Sequence, residues 1–189
     1  QKLLKTGIAL QTYIPFDFMS AGFYDMSPDS LNNHSFLRIG FNEYQSIGMK
    51  ELMTISGVTV DELISIISKE EKESSSLIYN GEFFETASRH STLKKLFADT
   101  FKMKSLLTLP LQVPGRPIFN FYFFSRRPDA YNSLHVHLLN HLRYTLTKLI
   151  EKVAENTTTG QSKTIINNNQ DKTIEINCFE EIIGKSYLL

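Results

Sequence analysis

The most suggestive chemistry-bearing residues are Gly184, Lys185 and Ser186, in the stretch CFEEIIGKSYLL. Glycine, lysine and serine in that order close a phosphate-binding loop. Such a loop also needs a glycine at its start, so that backbone N–H groups can wrap the phosphates. Position 179, where that glycine belongs, is Phe179, so the triplet is not a nucleotide-binding loop. His137 and His141 stand four residues apart on a predicted helix, a spacing that can grip a metal. No Asp or Glu completes the set, and exposed helix histidines are the plainer reading. Arg126 and Arg127, in SRRPDA, could hold an anion or simply face solvent or a partner. No nucleophile stands with a base, so the chain is expected to be non-enzymatic, with no catalytic residue, no metal and no cofactor.

These residues are carried on a mixed set of elements. Residues 1–12 put Leu3, Leu4 and Ile8 on one helical face. IPFDFMSAGFYD (14–25) reads as a strand running into the turn former DMSPDS, and SFLRIGFN (35–42) reads as its partner. Residues 56–72 predict a helix with Thr59 as N-cap, acids in the first turn and Leu63, Ile66 and Ile67 on one face. SLIYNGEFFETA reads as strand or loop, and residues 88–103 as a helix carrying Leu93, Leu96, Phe97 and Phe101. KSLLTLPLQV and PIFNFYFFS flank a turn at Pro114 and Gly115 and form the clearest hairpin. Pro110 inside the first run implies an edge or a bulge. A long helix follows from Ser133 to about Asn156. Its Leu139, Leu142, Leu146, Leu149 and Val153 step by 3, 4, 3 and 4, a spacing shared by coiled-coil seams and core-facing helices. Leu134, Leu138 and Ile150 add apolar surface beside that line, so a homodimer through the terminal helices is expected.

Composition narrows the function. Apolar residues are 41% of the chain, with 14 Phe and 8 Tyr, enough for a sizeable core. Twenty basic residues balance twenty acidic ones, which argues against a dedicated nucleic-acid surface. No apolar run has the length of a membrane span, and one cysteine, Cys178, supplies no disulfide framework. A cytoplasmic setting is expected, with no membrane partner. Residues 157–177 turn rich in Asn, Thr and Gln and read as a linker. The expected organisation is therefore a domain at 1–156, a linker at 157–177 and the start of another domain at 178–189.

The order of helices and strands resembles a GAF domain, the small-molecule sensor with an antiparallel sheet between helices. IPFDFMSAGFYD, the LLTLPLQV hairpin and above all FFSRRPDAY look like GAF domains at the N-termini of bacterial sigma-54-dependent activators. The resemblance runs from about residue 3 to 155. In those activators a linker and then an AAA+ ATPase follow. That ATPase opens with a segment beside the adenine, matched here by Phe179, Ile182, Ile183, Gly184 and Ser186. The resemblance implies an α+β fold, a central antiparallel sheet flanked by helices, and a long C-terminal helix. It implies a regulatory sensor for an unidentified small-molecule effector. Sigma-54 RNA polymerase and DNA would be reached only through domains outside this chain.

The same resemblance sets expectations for a ligand site. Alternation in 14–25 puts Phe18, Ser20, Gly22 and Tyr24 on one face and Met19, Ala21 and Phe23 on the other. The all-apolar face should pack on the terminal helices, and the mixed face suits a pocket. A serine at the place of Ser20 reads the ligand in cyclic-nucleotide GAF domains, but their N-K-x-x-x-F-x-x-x-D-E signature is missing here. Arg38 is the expected partner for an anionic ligand, with a solvent-facing strand arginine as the alternative. Thr108 and Tyr122 are polar groups within apolar strands, either pocket-lining or satisfied core hydroxyls. A bilin chromophore would need a cysteine inside the domain, and Cys178 lies in the linker. The rival expectation is a ligand-free dimerisation and docking module whose pocket is filled by Phe119, Phe121, Phe123 or Phe124.

Overall fold

A computed structural model of the chain describes residues 2–23, 34–41, 43–70 and 73–160. Tyr24, Cys178, the span 161–177 and the segment 178–189 lie outside the described residues. The chain divides into two compact units, Gln1–Glu155 and Asn156–Leu189. The first runs α1 (Lys2–Gln11), β1 (Phe18–Phe23), β2 (His34–Gly40), β3 (Glu43–Ile47), α2 (Met49–Ser56), α3 (Val60–Ser68), β4 (Ile78–Asn80), α4 (Gly81–His90), α5 (Thr92–Phe101), β5 (Ser105–Leu111) and β6 (Phe119–Ser125). The last described helix is α6 (Ser133–Gly160), which extends four residues into the span read as linker.

The strands form one sheet in the order β3-β2-β1-β6-β5-β4, with every described pair antiparallel. β5 and β6 are buried at every position. Both of their faces are covered, which is why their sequences run nearly continuously apolar instead of alternating. Their turn is made by Gly115, whose φ of 67° is open to glycine at little cost.

Two cores lie on opposite faces of the sheet. Met19, Ala21, Leu107, Leu109, Phe121 and Phe123 pack with Leu3 and Leu10 of α1 and Leu139, Leu146 and Ile150 of α6. Phe18, Leu106, Tyr122 and Phe124 pack with Leu52 of α2, Leu63 of α3, Phe84 of α4 and Leu93, Phe97 and Phe101 of α5. The alternation expected in β1 is realised: its all-apolar face meets the terminal helices.

The helices follow local signals. Thr59 caps α3 in a full capping box: its hydroxyl accepts from Glu62 N, and Glu62 accepts from Thr59 N at 2.8 Å. Ser91 ends α4 and caps α5, accepting from Lys94 N at 3.0 Å. This serine breaks what the sequence suggested was one helix. Of the span 76–87, expected as strand or loop, residues 81–87 belong to α4. Only residues 78–80 of that span are strand. β3 and α2 were not expected as elements at all.

The expected α6 seam divides. Leu139 is 0% exposed and Leu146 1%, both against the protein's own sheet and joined there by Ile150; Ala154 is buried one turn further on. Leu142, Leu149 and Val153 are half-buried on the flank of that line. Residues three apart on a helix are turned about 60° from each other, so the five residues split between the buried Leu139–Leu146 line and its flank. As a correction, they do not present a single outward seam.

Candidate ligand site

A row of residues crosses the sheet at one level. Register sets Ile47 beside Ser35, Ser35 beside Ser20, Ser20 beside Tyr122, and Tyr122 beside Thr108. Directly paired residues share a sheet face, so these five point the same way, toward α2, α3 and α5. Ser35 Oγ donates to Ser20 Oγ at 3.1 Å. Over this row lies a cavity of about 60 Å³. Its floor holds Ser20, Ser35 and Tyr122, and its roof includes Leu52, Leu63 and Phe97. Much of the neighbouring space is filled by rings: Phe18 lies 4.9 Å from Phe97 and 5.0 Å from Phe101, and Phe97 lies 4.6 Å from Phe124.

Lys94 and Glu70 complete the lining. Lys94 falls on the same stripe of α5 as Phe97 and Phe101, so helical geometry carries its side chain inward, where only 8% of it is exposed. Its Nζ lies 2.5 Å from Glu70 Oε1 and 3.4 Å from Glu73 Oε1, and 5.1 Å from the centre of the Tyr79 ring. Ser91 Oγ donates to Glu70 Oε2 at 2.6 Å, and Tyr79 OH donates to Glu73 Oε1 at 2.8 Å. Burying a charge costs several kcal/mol unless it is paired and hydrogen-bonded, and this network supplies both conditions for Lys94. Glu73 Oε2 is buried without a hydrogen-bond partner among the described residues.

The residues named from sequence separate here. Ser20 and Tyr122 line the cavity. Thr108 is in the same row, but its hydroxyl accepts from Leu77 N at 3.1 Å while its own N–H donates to Leu77 O at 3.0 Å. It fastens the chain leading into β4. Arg38 is placed on the other face: it pairs with Tyr44, beyond Leu37, and shares the side of Phe36 and Met19. Its Nε donates to Gly40 O at 3.0 Å. As a correction, Arg38 does not reach the cavity; one residue of strand alternation turns it away. Burial raises the Tyr44 phenol above its ordinary value of 10.0, and the Arg38 charge partly offsets this.

The paired arginines are exposed, and the chain that carries them is tied down largely through its backbone. Asp17 Oδ2 accepts from Ser125 Oγ at 2.9 Å and from Arg126 N at 2.7 Å, and Arg126 Nε donates to Phe101 O at 3.3 Å. Ser105 Oγ donates to Arg127 O at 2.8 Å. Burial, then the nearby Asp17 charge, pushes the Tyr131 phenol well above 10.0, eased in part by Arg127. His137 and His141 are exposed. Among the described residues no three of His, Cys, Asp or Glu gather as a metal set, and no helix is long and apolar enough to cross a membrane.

Sequence reasoning missed Ser35, Lys94, Glu70 and Glu73. A lysine on the apolar stripe of a helix was the one available signal.

No family model matches the sequence, and no curated protein matches it. Solved structures do. A domain assigned to a two-component sensor histidine kinase of Sinorhizobium meliloti matches with a TM-score of 0.53 at 16% identity, over 85% of this chain and 96% of that one. The GAF3 domain of a Synechocystis protein, in its photoproduct state, matches with a TM-score of 0.57 at 15% identity, over 84% of this chain and 98% of that one. The fold is thus α+β and GAF-like.

Proposed function

We propose that this chain is a non-enzymatic sensor domain of a sigma-54-dependent transcription activator, relaying the occupancy of the cavity through α6 to an AAA+ ATPase domain. The observation that carries the sensing role is the hydroxyl row Ser35–Ser20–Tyr122 facing a cavity closed by three helices and a buried lysine. Convergent polar groups over an otherwise apolar wall are what a small ligand needs for orientation. The GAF-like fold supports the reading. The activator context rests on FFSRRPDAY and on the match at Phe179 to Ser186. A ligand shifts such a domain only through its difference in affinity between two states. The half-buried flank of Leu138, Leu142 and Leu149 on α6 is the surface proposed for a homodimer, in place of the full seam.

A second reading has its own observation. Ligand pockets commonly run to about 300–1,000 Å³, and this cavity is far smaller, crowded by Phe18, Phe97, Phe101 and Phe124. A docking module without a ligand fits that crowding. Phe119, Phe121 and Phe123 do not contribute to it, because they face the terminal helices.

A thermal-shift screen of small carboxylates, nucleotides and aromatic compounds separates the two. A ligand specific to the folded state stabilises it by about 2.7 kcal/mol at a hundredfold excess over Kd. A saturable hit that disappears in Ser20→Leu supports the sensor. Silence across the library, with a stable dimer throughout, favours the docking module. A ligand that leaves ATPase activity of the full-length protein unchanged would sink the relay.

A further inference from the structure

The two oxygens of Glu70 are held separately, one by Lys94 Nζ at 2.5 Å and the other by Ser91 Oγ at 2.6 Å. Together they make a clamp fitted to a carboxylate, at the wall of the cavity. We propose that Glu70 is a tethered stand-in for the ligand: a small carboxylate takes its place on Lys94 and Ser91, and Glu70 swings out. This rests on the sensor reading and names the ligand class and the event that reports it.

Four observations support the exchange. Glu70 lies beyond the end of α3, in the turn before 71–72, so its release breaks no helical hydrogen bond of α3 proper; the turn contact it gives up is Glu70 N to Ile67 O at 3.3 Å. Charge is conserved: one carboxylate leaves Lys94 as another arrives, while Glu73 remains at 3.4 Å. Room is created by the same event. The cavity alone, at about 60 Å³, holds only a handful of water-sized groups. Withdrawal of the Glu70 carboxylate adds the volume that a ligand's own carboxylate needs. Finally, the remaining walls suit the rest of such a molecule: Leu52, Leu63 and Phe97 for a short apolar tail, Ser20 and Ser35 for a hydroxyl or keto group.

The clamp is closed on Glu70 in this structure, so a ligand competes with an intramolecular partner. Its apparent affinity is the intrinsic affinity reduced by the fraction of clamps left open. Removing the competitor should therefore tighten binding.

The test is a thermal-shift titration of the 189-residue chain with acetate, propionate and pyruvate, against acetamide as the neutral isostere, at constant ionic strength set with chloride. Inorganic phosphate is run in parallel as a tetrahedral anion. The variant is Glu70→Gln, whose amide keeps the shape and leaves Lys94 paired with Glu73. The expected result is saturable stabilisation by one or more carboxylates, none by acetamide or phosphate, and binding about tenfold or more tighter in Glu70→Gln. Equal affinity in wild type and E70Q overturns the stand-in role. So does stabilisation by neutral compounds or phosphate alone, and in these cases a sensor remains. If none of these compounds stabilises either protein, the inference is overturned, while the sensor reading still stands or falls by the wider screen of nucleotides and aromatic compounds.

Discussion

The two faces of the sheet are built to different ends. The face under α1 and α6 is closed: Met19, Ala21, Leu107, Leu109, Phe121 and Phe123 are each 0% exposed, and α1 crosses so closely at Gly7 that a Cβ there would sit 2.6 Å from the Met19 methyl. The face under α2, α3 and α5 carries hydroxyls, a cavity and a buried ion network. Close packing makes the first face rigid, whereas the second spends part of its core on groups that need partners. One face holds the shape, and the other has something to exchange.

That contrast can be broken most severely on the closed face. Phe121→Ala should destabilise by about 3–5 kcal/mol, read as a fall in urea midpoint at constant slope, because no neighbour there can collapse into the hole. Lys94→Met should cost a comparable 3–5 kcal/mol, since it strands two buried carboxylates. Glu70→Gln should cost clearly less, and equal losses in the two would mean that Glu73 does not sustain Lys94. Thr59→Ala, at the entry to α3, should cost about 1 kcal/mol by urea denaturation. Ser20→Ala should cost no more than about 1 kcal/mol, the net worth of one hydroxyl contact. A large loss there would show that the floor of the cavity is structural.

The smallest effect concerns pH. Burial, and then the Arg127 charge, hold the His135 imidazole below its ordinary 6.5, and its Nδ1 accepts from Asn132 N at 3.0 Å. The folded state therefore prefers the neutral ring. As pH falls below 6.5 the unfolded chain takes up the proton first, so stability is full above that value and declines toward the lower folded-state pKa. Melting temperature followed from neutral to mildly acid pH should fall more in wild type than in His135→Gln.

The closed face was the more legible of the two. The β5–β6 hairpin showed its turn at Pro114 and Gly115, and the β1 alternation assigned Met19 to this face and Ser20 to the other; on the open face, Thr59 announced α3. The open face hid its working parts. α4 carries Phe83 and Phe84 in succession, a strand-like signal that packing against β4 and α5 overrides. β3 and α2 are short, with mixed polar composition and little period to read. Glu70 and Glu73 belong to a run of charges resembling a solvated helix end. Only the fold brings Lys94, more than twenty residues away, back to them. Arg38 was misplaced because a pocket needs both the right residue type and the right parity along the strand.

Arg143 has a consequence beyond its three hydrogen bonds. Its guanidinium donates to Pro110 O and Ser76 Oγ, and also to Asn140 Oδ1. Thr108 N bonds outward to Leu77, and Pro110, two residues on, offers its carbonyl on the same outward side, past the end of the three-residue β4. Proline brings no N–H to that stretch and Arg143 occupies its carbonyl, so a strand from another molecule finds neither donor nor acceptor at this residue. The contact thus guards an otherwise open edge against strand-to-strand aggregation.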